Sequence, residues 1–328
     1  MILFYKNRDI PFKLKAEEAL IRRLHKNHLK LPIIEEEYRK RLAGIRGEKE
    51  LDYQLSHLTD HNYLILNDLR LQQNGHFFQI DSLLISPPVS FIIDSKNIAG
   101  IIVFDHEFSQ CVRIFNEKEE GIRDPFSQVQ RHISLLSKWL NEHKLPTLKM
   151  EYLVAISRSS TIIKSKGSNP YNNFRVVHAD HILSRISELE KRYPKEIITT
   201  KEIKRIAKQL VKFHVPFKPN IFETYSIDPN DVKKGVQCPQ CMTIPMQKVH
   251  GSWYCPACHT SSKIAHIPAL SDFYFLYGHN ITLSQFSDFL LFPISNRKSA
   301  SSFLISLSLP YVGSKKGRVY DLTPLIER

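Results

Sequence analysis

The sequence predicts a mixed α/β fold, in which helices flank a sheet of several strands, followed by smaller C-terminal units. Five strand-like apolar runs lie between residues 63 and 115. Amphipathic helical patterns lie before and after these runs, and two further short strands and a helix come later in the chain. At 328 residues, the chain has room for two or three domains.

The predicted elements run from helices to strands and back to helices. A basic helical extension covers 1–33, and a longer helix follows over 34–58, where apolar residues recur at helical spacing. After the five strands, Asp124 and Pro125 supply the cap and first turn of a helix that reaches His143. The other predicted elements of this domain, which spans 34–193, are two strands and a helix: 151–157, 174–177 and 180–192.

Three smaller segments are predicted after this domain. Within 194–235, a Thr199-x-x-Glu202 capping box opens an amphipathic helix, and prolines then mark a linker. A cysteine-rich segment occupies 236–265, and a small helical unit with a hairpin occupies 270–328.

Charge and hydropathy narrow the class of protein. The formal net charge is +13, which favours polyanionic partners because Lys and Arg release counterions when they neutralise phosphates. A basic protein without such a partner stays an alternative. No apolar run approaches the roughly 20 residues of a membrane span, and the first residues are charged too soon for a secretory signal. We therefore expect a cytoplasmic protein with no membrane partner.

Ionisable residues interrupt two of the predicted buried strands. Asp81 lies within one apolar run, and Asp94 and Lys96 end the next. Because side chains alternate along a strand, Asp94 and Lys96 share a face, and a turn at Pro87-Pro88 would bring Asp81 to the same end of the sheet. Buried charges must be paired, bound to metal or near water. Two carboxylates beside an ammonium fit a Mg²⁺ site that acts on a phosphodiester.

A purely structural explanation of these groups stays open on spacing alone. Asp94 and Lys96 can form an ion pair at a strand end, with Asp81 capping a turn. Two helices favour the catalytic interpretation. The first carries Glu48 beside two glycines, which cost helix stability and permit close approach of another element. The second begins at the Asp-Pro cap and carries Gln128 in its first turn.

Four motifs between about residues 40 and 160 belong together: Gly44-x-x-Gly47-Glu48, Gln79-Ile80-Asp81-Ser82-Leu83-Leu84-Ile85, Phe91-Ile92-Ile93-Asp94-Ser95-Lys96-Asn97-x-x-Gly100 and Pro125-x-x-Gln128-x-x-x-His132. Together they resemble the nuclease-related domain (NERD) family, a branch of the restriction-endonuclease-like PD-(D/E)XK superfamily. The resemblance implies a restriction-endonuclease-like mixed sheet flanked by helices.

The resemblance also implies a metal-dependent nuclease and roles for its motif residues. Asp81 and Asp94 would bind Mg²⁺ or Mn²⁺ with Glu48 beside them, and Lys96 would serve the attacking water. Glu48 and Gln128 would support the site from the two helices. NERD sequences more often carry Glu where this chain has Asp94, and the shorter side chain shifts the ligand oxygen.

Four of the five cysteines form two Cys-x-x-Cys pairs separated by thirteen residues: Cys238, Cys241, Cys255 and Cys258. Two such knuckles complete a tetrahedral Zn²⁺ site with no open position, as in a structural zinc ribbon. Paired disulfides fit a reducing compartment poorly, and a redox dithiol would not need two copies. Three nearby histidines are surplus to the thiolate set and are expected on the surface: His250, His259 and His266.

The last segment predicts helix, turn, helix and hairpin, the order of a winged helix-turn-helix. The first helix begins near Ile281, Asn296 caps the second, and the hairpin follows Pro310. In that fold, the second helix and the wing contact nucleic acid. The candidate contacts are Arg297, Lys298, Lys315, Lys316 and Arg318. A protein-contact unit stays an alternative, because the charge bias is small.

Two functions follow from these patterns. The first is a metal-dependent nuclease that hydrolyses DNA phosphodiester bonds and is targeted by the zinc ribbon and the helix-turn-helix-like unit. The second is a non-catalytic or weakly active DNA-binding or regulatory protein on a nuclease-like fold. RNA is the less favoured substrate, and a homodimer stays open. The expected cofactors are Mg²⁺ or Mn²⁺ and one structural Zn²⁺.

Overall fold

The structure, a computed structural model, describes residues 3–58, 63–167, 169–292 and 297–326. It contains two compact units. Unit 1 comprises Met1–Asp9 and Lys40–Pro216, and unit 2 comprises Ile10–Arg39 and Phe217–Arg328. The finer five-part division expected from the sequence stays a prediction.

The described residues form the following elements. The α-helices are α1 Phe12–Arg23, α2 Leu31–Leu55, α3 Pro125–Glu142, α4 Pro170–Arg175, α5 Ile182–Glu190, α6 Thr200–Lys212, α7 Ile221–Tyr225, α8 His266–Tyr277, α9 Leu283–Phe289, α10 Arg297–Ser306 and α11 Thr323–Ile326. The strands are β1 Leu3–Lys6, β2 Leu64–Gln73, β3 His76–Ile85, β4 Ser90–Lys96, β5 Ile101–Asp105, β6 Gln110–Phe115, β7 Lys118–Ile122, β8 Met150–Ile156, β9 Ile162–Lys166, β10 Val176–His178, β11 Gln247–Val249, β12 Ser252–Tyr254, β13 Ser261–Ser262, β14 Asn280–Thr282, β15 Tyr311–Val312 and β16 Val319–Asp321.

A six-stranded mixed sheet forms the centre of unit 1. Its strand order is β1-β2-β3-β4-β8-β10. The strands β2, β3 and β4 pair antiparallel, whereas β1 pairs parallel to β2, and β8 pairs parallel to both β4 and β10. The predicted mixed sheet flanked by helices is therefore confirmed.

Helices cover both faces of this sheet. One face packs against α3 and α6, where Leu66 of β2 shares a buried cluster with Leu136 and Ile206. The other face packs against α5 and the second half of α2, where Ile93 shares a cluster with Leu51. Strands buried on both faces read as near-continuous apolar runs, and this explains why the charges within them stand out.

Three strands of unit 1 were not expected from the sequence. β1 occupies part of the predicted helical extension and lengthens the central sheet at its edge. β7 and β9 belong to a second, four-stranded sheet of order β7-β6-β5-β9. The charged sequence Lys-Glu-Glu-Gly-Ile of β7 has no alternating apolar pattern, so its strand depends on pairing with β6.

Unit 2 contains two small three-stranded sheets among helices. β11, β12 and β13 form the first, and the order of the second is β14-β16-β15. The predicted helix–turn–helix and hairpin are present as α9, α10, β15 and β16. Helix α8, which precedes them, was not expected, and Asn296 lies outside the described residues. Within the described ranges, the chain has no helix with the length and apolar character of a membrane span.

Candidate active site and metal cluster

Three aspartates lie at one level of three adjacent strands. The register on either side of Asp68 places this residue of β2 opposite Asp81 of β3. The ladder between β3 and β4 ends at the pair Ser82–Ile93, and Asp81 and Asp94 are the next residues beyond it. The sheet therefore brings carboxylates from three strands to one level.

A backbone kink accompanies this row. Asp68 has a φ of 50°, in the left-handed region that Asp adopts more readily than most residues. Leu66 and Leu69 lie three positions apart and yet face the same core, as do Ile80 and Leu83 on the neighbouring strand. A regular strand would place such residues on opposite faces, so the side-chain alternation resets at the level of the aspartates.

Asp94 lies between the side chains of Lys96 and Gln128. Lys96 Nζ is 2.7 Å from Asp94 Oδ2, and Gln128 Nε2 donates to Asp94 Oδ1 at 3.1 Å. Lys96 Nζ also lies 3.5 Å from Gln128 Oε1. The neighbouring carboxylate is held separately, because Asp81 Oδ2 accepts a hydrogen bond from the backbone N–H of Ser95 at 3.0 Å.

The Asp94 carboxylate is buried in a way that suits a cation. Asp94 is only 2% exposed, and burial, aided by the negative charge of Asp81, raises its pKa to about 7 although Lys96 opposes the shift. Its Oδ2 contacts the Lys96 ammonium at 2.7 Å but accepts no hydrogen bond of acceptable geometry from the described residues. Carboxylate oxygens are the ligands that Mg²⁺ prefers, so the chemistry of Asp94 is compatible with a divalent cation.

Glu48 is held by a buried arginine that the sequence did not single out. The Arg8 guanidinium lies 3.3 Å from Glu48 Oε2 and 2.8 Å from Asp68 Oδ1. It also donates to both oxygens of Asp52, at 3.0 and 3.1 Å, and to the Asp81 carbonyl oxygen at 3.2 Å. Burial raises the pKa of Glu48 to about 7; the Arg8 charge opposes this shift and the Asp81 charge adds to it.

The two glycines near Glu48 differ in their surroundings. A Cβ atom on Gly47 would clash with the Ser157 hydroxyl and lie 2.7 Å from Asn97 Cβ, whereas one on Gly44 would meet nothing within 4 Å. The Asn97 amide donates to the Ala43 carbonyl of the same helix. Helix α2 therefore approaches the ends of β4 and β8 closely at Gly47, and this approach positions Glu48.

The five predicted catalytic residues thus divide into two groups. Asp94, Lys96 and Gln128 contact one another. Asp81 is held by the backbone N–H of Ser95, and its negative charge contributes to the raised pKa of Glu48. The three carboxylates do not converge as closely as a shared ion requires: in the described part of the chain, only the four cysteines form such a group of three or more ligands. Their assignment as joint metal ligands stays a prediction.

Sequence reasoning missed two residues of this region. Asp68 carries the same signal as Asp81, since it is a carboxylate within an apolar run, and could have been found in that way. Arg8 has no local signal, because its carboxylate partners lie 40 or more positions away.

The four cysteines of unit 2 meet as the spacing predicts. All four Sγ atoms lie within 4.8 Å of one another, with Cys238 3.5 Å from Cys258 and Cys241 3.5 Å from Cys255. Each thiol is free of disulfides. A group of four thiols at this separation could hold a zinc ion.

The two halves of this cluster repeat the same local geometry. The Thr243 hydroxyl lies 3.3 Å from Cys241 Sγ, and this contact lowers the pKa of the Cys241 thiol to about 6. The Thr260 hydroxyl lies 3.3 Å from Cys258 Sγ and likewise lowers the pKa of that thiol. A lowered thiol pKa favours metal binding, because the thiolate is the ligand.

One of the three histidines expected on the surface is buried. His250 and His259 are exposed, but His266 is only 5% exposed and packs 4.7 Å from the Phe303 ring. The expectation for His266 was wrong because α8 was not predicted, and the residue lies in the first turn of that helix beneath Trp253.

The predicted nucleic-acid contacts of the C-terminal unit are described only in part. Lys298 and Lys315 are exposed, whereas the side chains of Arg297 and Lys316 lie outside the described residues. Arg318 is half-buried, and its guanidinium carbon lies 4.5 Å from the centre of the Tyr311 ring. Their role in binding stays a prediction.

The fold and site define a mixed α/β protein with a carboxylate row and one ammonium at the end of its central sheet, and a separate four-cysteine cluster. Residues 43–157 match the family model of the nuclease-related domain, NERD. The predicted family resemblance is therefore confirmed for about a third of the chain, and it implies a nuclease-related function. The matched segment contains all the predicted catalytic residues: Glu48, Asp81, Asp94, Lys96 and Gln128.

A curated relative covers a similar share of the chain. An uncharacterized protein of Bacillus anthracis is 29% identical over 108 residues, which are 33% of this chain and 50% of the relative. The chain thus spans about half the length of that relative. No solved structure matches the chain.

Proposed function

We propose that this protein is a metal-dependent nuclease that hydrolyses DNA phosphodiester bonds. The observation that carries the proposal is the buried Asp94 carboxylate at the end of the central sheet, whose two oxygens contact the Lys96 ammonium and the Gln128 amide. The NERD match over the same residues supports it.

In this proposal Asp81 and Asp94 hold Mg²⁺ or Mn²⁺, and Glu48 supports them from α2. The cation would neutralise charge on the scissile phosphate and activate water. Lys96 keeps its ammonium beside Asp94 and can donate a hydrogen bond to the attacking water. Gln128 fixes the orientation of Asp94 through its amide. Hydrolysis would leave a 5′-phosphate and a 3′-hydroxyl.

The four-cysteine cluster holds one structural Zn²⁺ in this proposal. The cluster offers four thiols and no further ligand position, so its role is to stabilise the small sheet around Trp253. The basic residues of α10 and the C-terminal hairpin, with Lys298 and Lys315 exposed, then contribute to DNA targeting.

A DNA-binding protein without hydrolytic activity is the second candidate. The arrangement around Glu48 favours it, because Arg8 holds this carboxylate together with Asp52 and Asp68 rather than leaving it free for a cation. Both candidates predict DNA affinity that falls with salt. They differ in metal-dependent cleavage.

Plasmid cleavage by the zinc-loaded full chain separates the two. The parent is incubated with Mg²⁺ or Mn²⁺ beside Asp81→Asn, Asp94→Asn and Lys96→Ala. Two exposed residues of unit 1 supply matched controls, Asp180→Asn and Lys164→Ala.

The nuclease proposal expects metal-dependent nicking or linearisation by the parent and both controls, and its loss in all three site variants. Cleavage that persists unchanged in the site variants would identify a contaminant. DNA binding without cleavage under either metal would favour the second candidate.

A further inference from the structure

Helix α6 of unit 1 carries an unusually one-sided distribution of charge. Its exposed residues at helical spacing are basic, and we call them the basic strip: Lys201, Lys204, Arg205, Lys208 and Lys212. At 100° per residue these five positions fall within an arc of about 100°. The opposite side of the helix is buried against the central sheet.

The structure places this strip on a well-anchored helix. Ile203, Ile206 and Leu210 pack into the core that covers β2, each at most 2% exposed. Thr199 and Glu202 form a capping box, with Glu202 Oε2 accepting from the Thr199 backbone N–H at 2.8 Å. The helix is therefore rigid enough to present the strip in one geometry.

Carboxylates do not neutralise the strip. In the described part of the chain, none of the five side chains forms an ion pair with an acidic residue. Arg205 donates to the Lys144 carbonyl at 3.4 Å, and Lys212 lies 5.6 Å from the Phe213 ring centre. The nearest acid on the helix, Glu202, is engaged at the cap.

Such a pattern is unfavourable to the helix on its own. Like charges three and four positions apart repel, and the pairs Lys201–Arg205, Lys204–Lys208 and Lys208–Lys212 all have the four-residue spacing. A strip that serves only solubility would gain from interspersed acidic residues. Repulsion of this kind is relieved when a polyanion lies along the helix.

We propose that the basic strip binds the phosphate backbone of duplex DNA and holds the substrate on unit 1. The strip runs about 16 Å along the helix axis, long enough for its cations to meet several consecutive phosphates of one strand. The inference rests on the proposed DNA substrate but not on hydrolysis.

The test is the salt dependence of binding to a fluorescent DNA duplex of about 24 base pairs, measured by anisotropy. The zinc-loaded full chain is used without added divalent cation. The strip variant is Lys204→Gln/Lys208→Gln/Lys212→Gln; Gln keeps helix propensity and Arg205 keeps its backbone contact. The control variant removes the same charge from exposed lysines elsewhere on unit 1: Lys118→Gln/Lys164→Gln/Lys191→Gln. Circular dichroism checks folding.

Loss of three phosphate contacts lowers the slope of log affinity against log salt by about 2.7. Between 50 and 200 mM salt, the fold-loss of DNA affinity should therefore be about 40 times smaller for the strip variant than for the parent. At 50 mM salt the strip variant should bind DNA more weakly than the parent does. The control variant should keep the slope of the parent.

Equal slopes for the strip and control variants would overturn the inference, as would parent DNA binding too weak to measure at 50 mM salt. A strip variant that loses affinity only for an RNA duplex would overturn it too. Plasmid cleavage by the parent is measured in parallel. If the parent cleaves and the strip variant keeps the parent's slope, the strip proposal is refuted and the nuclease proposal is not. If the strip variant has a reduced slope and the parent does not cleave, the strip proposal is supported and the nuclease proposal is refuted.

Discussion

Lys96 holds its ammonium nitrogen 2.7 Å from Oδ2 of Asp94, two positions earlier on the same strand. The ion pair is asymmetric in its exposure, because the Asp94 side chain is 3% exposed and that of Lys96 23%. The carboxylate therefore depends on this neighbour for compensation of its charge, while the ammonium can also reach water. The pair is consistent with a structural role as well as a catalytic one, and the two roles make different demands on Lys96.

Lys96→Met should destabilise unit 1 in a pH-dependent way. Without the ammonium, the pKa of Asp94 rises further above its ordinary value, so the ionised form costs more in the folded state. We expect a loss of about 2 kcal/mol in the free energy of unfolding at pH 8, because one partner of a buried pair is left alone. At pH 5 Asp94 is protonated in both proteins, and the loss should be smaller.

Urea unfolding at the two pH values, without added divalent cation, measures this effect. Lys164→Met is the control, since Lys164 is exposed. The double variant Asp94→Asn/Lys96→Met should recover most of the stability at pH 8. An equal loss at pH 5 and pH 8 would mean that Lys96 acts through packing instead of charge.

Arg8→Gln should release the carboxylates that the guanidinium now joins. Arg8 contacts Glu48, Asp52 and Asp68, and its side chain is only 5% exposed. We expect a loss of about 3–5 kcal/mol at pH 8, since the remaining carboxylates are left to repel one another in a half-buried site. The pKa of Glu48, already raised to about 7, should rise further, so that the loss shrinks at pH 5.5.

Denaturant unfolding of the parent and the variant at pH 5.5 and pH 8 tests this prediction, with Arg131→Gln on the exposed side of α3 as the control. A variant as stable as the parent at pH 8 would show that the buried arginine contributes no net stability.

The sequence predicted the part of the site that depends on local geometry. Asp81, Asp94 and Lys96 could be placed together because strand alternation and a tight turn are short-range properties. Gln128 followed from the Asp124 cap, whose side chain accepts from the backbone N–H groups of Phe126 and Ser127. The same reasoning failed where the contacting residues are far apart in the sequence.

Arg8 illustrates that failure, since its two main carboxylate partners lie 44 and 60 positions away. Nothing in the segment around residue 8 indicates burial. Asp68 could have been found, because it interrupts an apolar run as Asp81 does, but the kink at its positive φ does not follow from a two-residue period. β7 was missed because its strand depends on a partner and not on its own composition.

Gly47→Ala tests the close approach of α2 to the strand ends. The added Cβ would clash with the Ser157 hydroxyl and lie 2.7 Å from Asn97 Cβ, so the helix or the strand ends must shift. We expect a loss of about 1–3 kcal/mol in the free energy of unfolding, as for other overpacked sites. Nuclease activity should fall by more than the loss of folded protein explains, because the shift moves Glu48.

Gly44→Ala is the matched control, one helical turn earlier. Its Cβ would meet nothing within 4 Å, and the backbone is helical, so Ala should stabilise the protein by up to about 1 kcal/mol. Thermal unfolding of both variants gives the comparison. If both stabilise the protein equally, α2 does not approach the sheet as described.

Zinc should be bound with a stoichiometry of one ion per chain, and its removal should unfold the sheet of β11, β12 and β13 in unit 2. Cys238, Cys241, Cys255 and Cys258 bring four thiols together without a disulfide, so metal binding is expected to supply part of the folding free energy of the sheet formed by β11, β12 and β13. We expect Cys255→Ser to lose the ion and at least about 3 kcal/mol of stability.

The measurement combines metal analysis with the fluorescence of Trp253, which is 1% exposed beside the cluster. A Trp139→Phe background removes the chain's other tryptophan. A chelator should shift the emission to the red, and Cys111→Ala should leave the zinc content unchanged, because Cys111 lies in unit 1. Emission that is unaffected when the metal leaves would contradict a structural zinc.

The buried His266 should make unit 2 lose stability as the pH falls. Burial, with a contribution from the positive charge of Lys248, lowers the pKa of His266 from 6.5 to about 4. The unfolded chain therefore binds a proton between these two values that the folded chain does not, so stability is full above pH 6.5 and falls toward pH 4. His266→Leu should remove this dependence, which amounts to about 2 kcal/mol between pH 7 and pH 5.

Urea unfolding of unit 2, followed through Trp253 in the same Trp139→Phe background, measures the slope with pH. His250→Leu is the control, because His250 is exposed. Protonation of the cysteines affects all three proteins, so the difference between parent and variant isolates His266. A parallel pH dependence for the parent and His266→Leu would mean that the imidazole is already protonated or solvated in the folded protein.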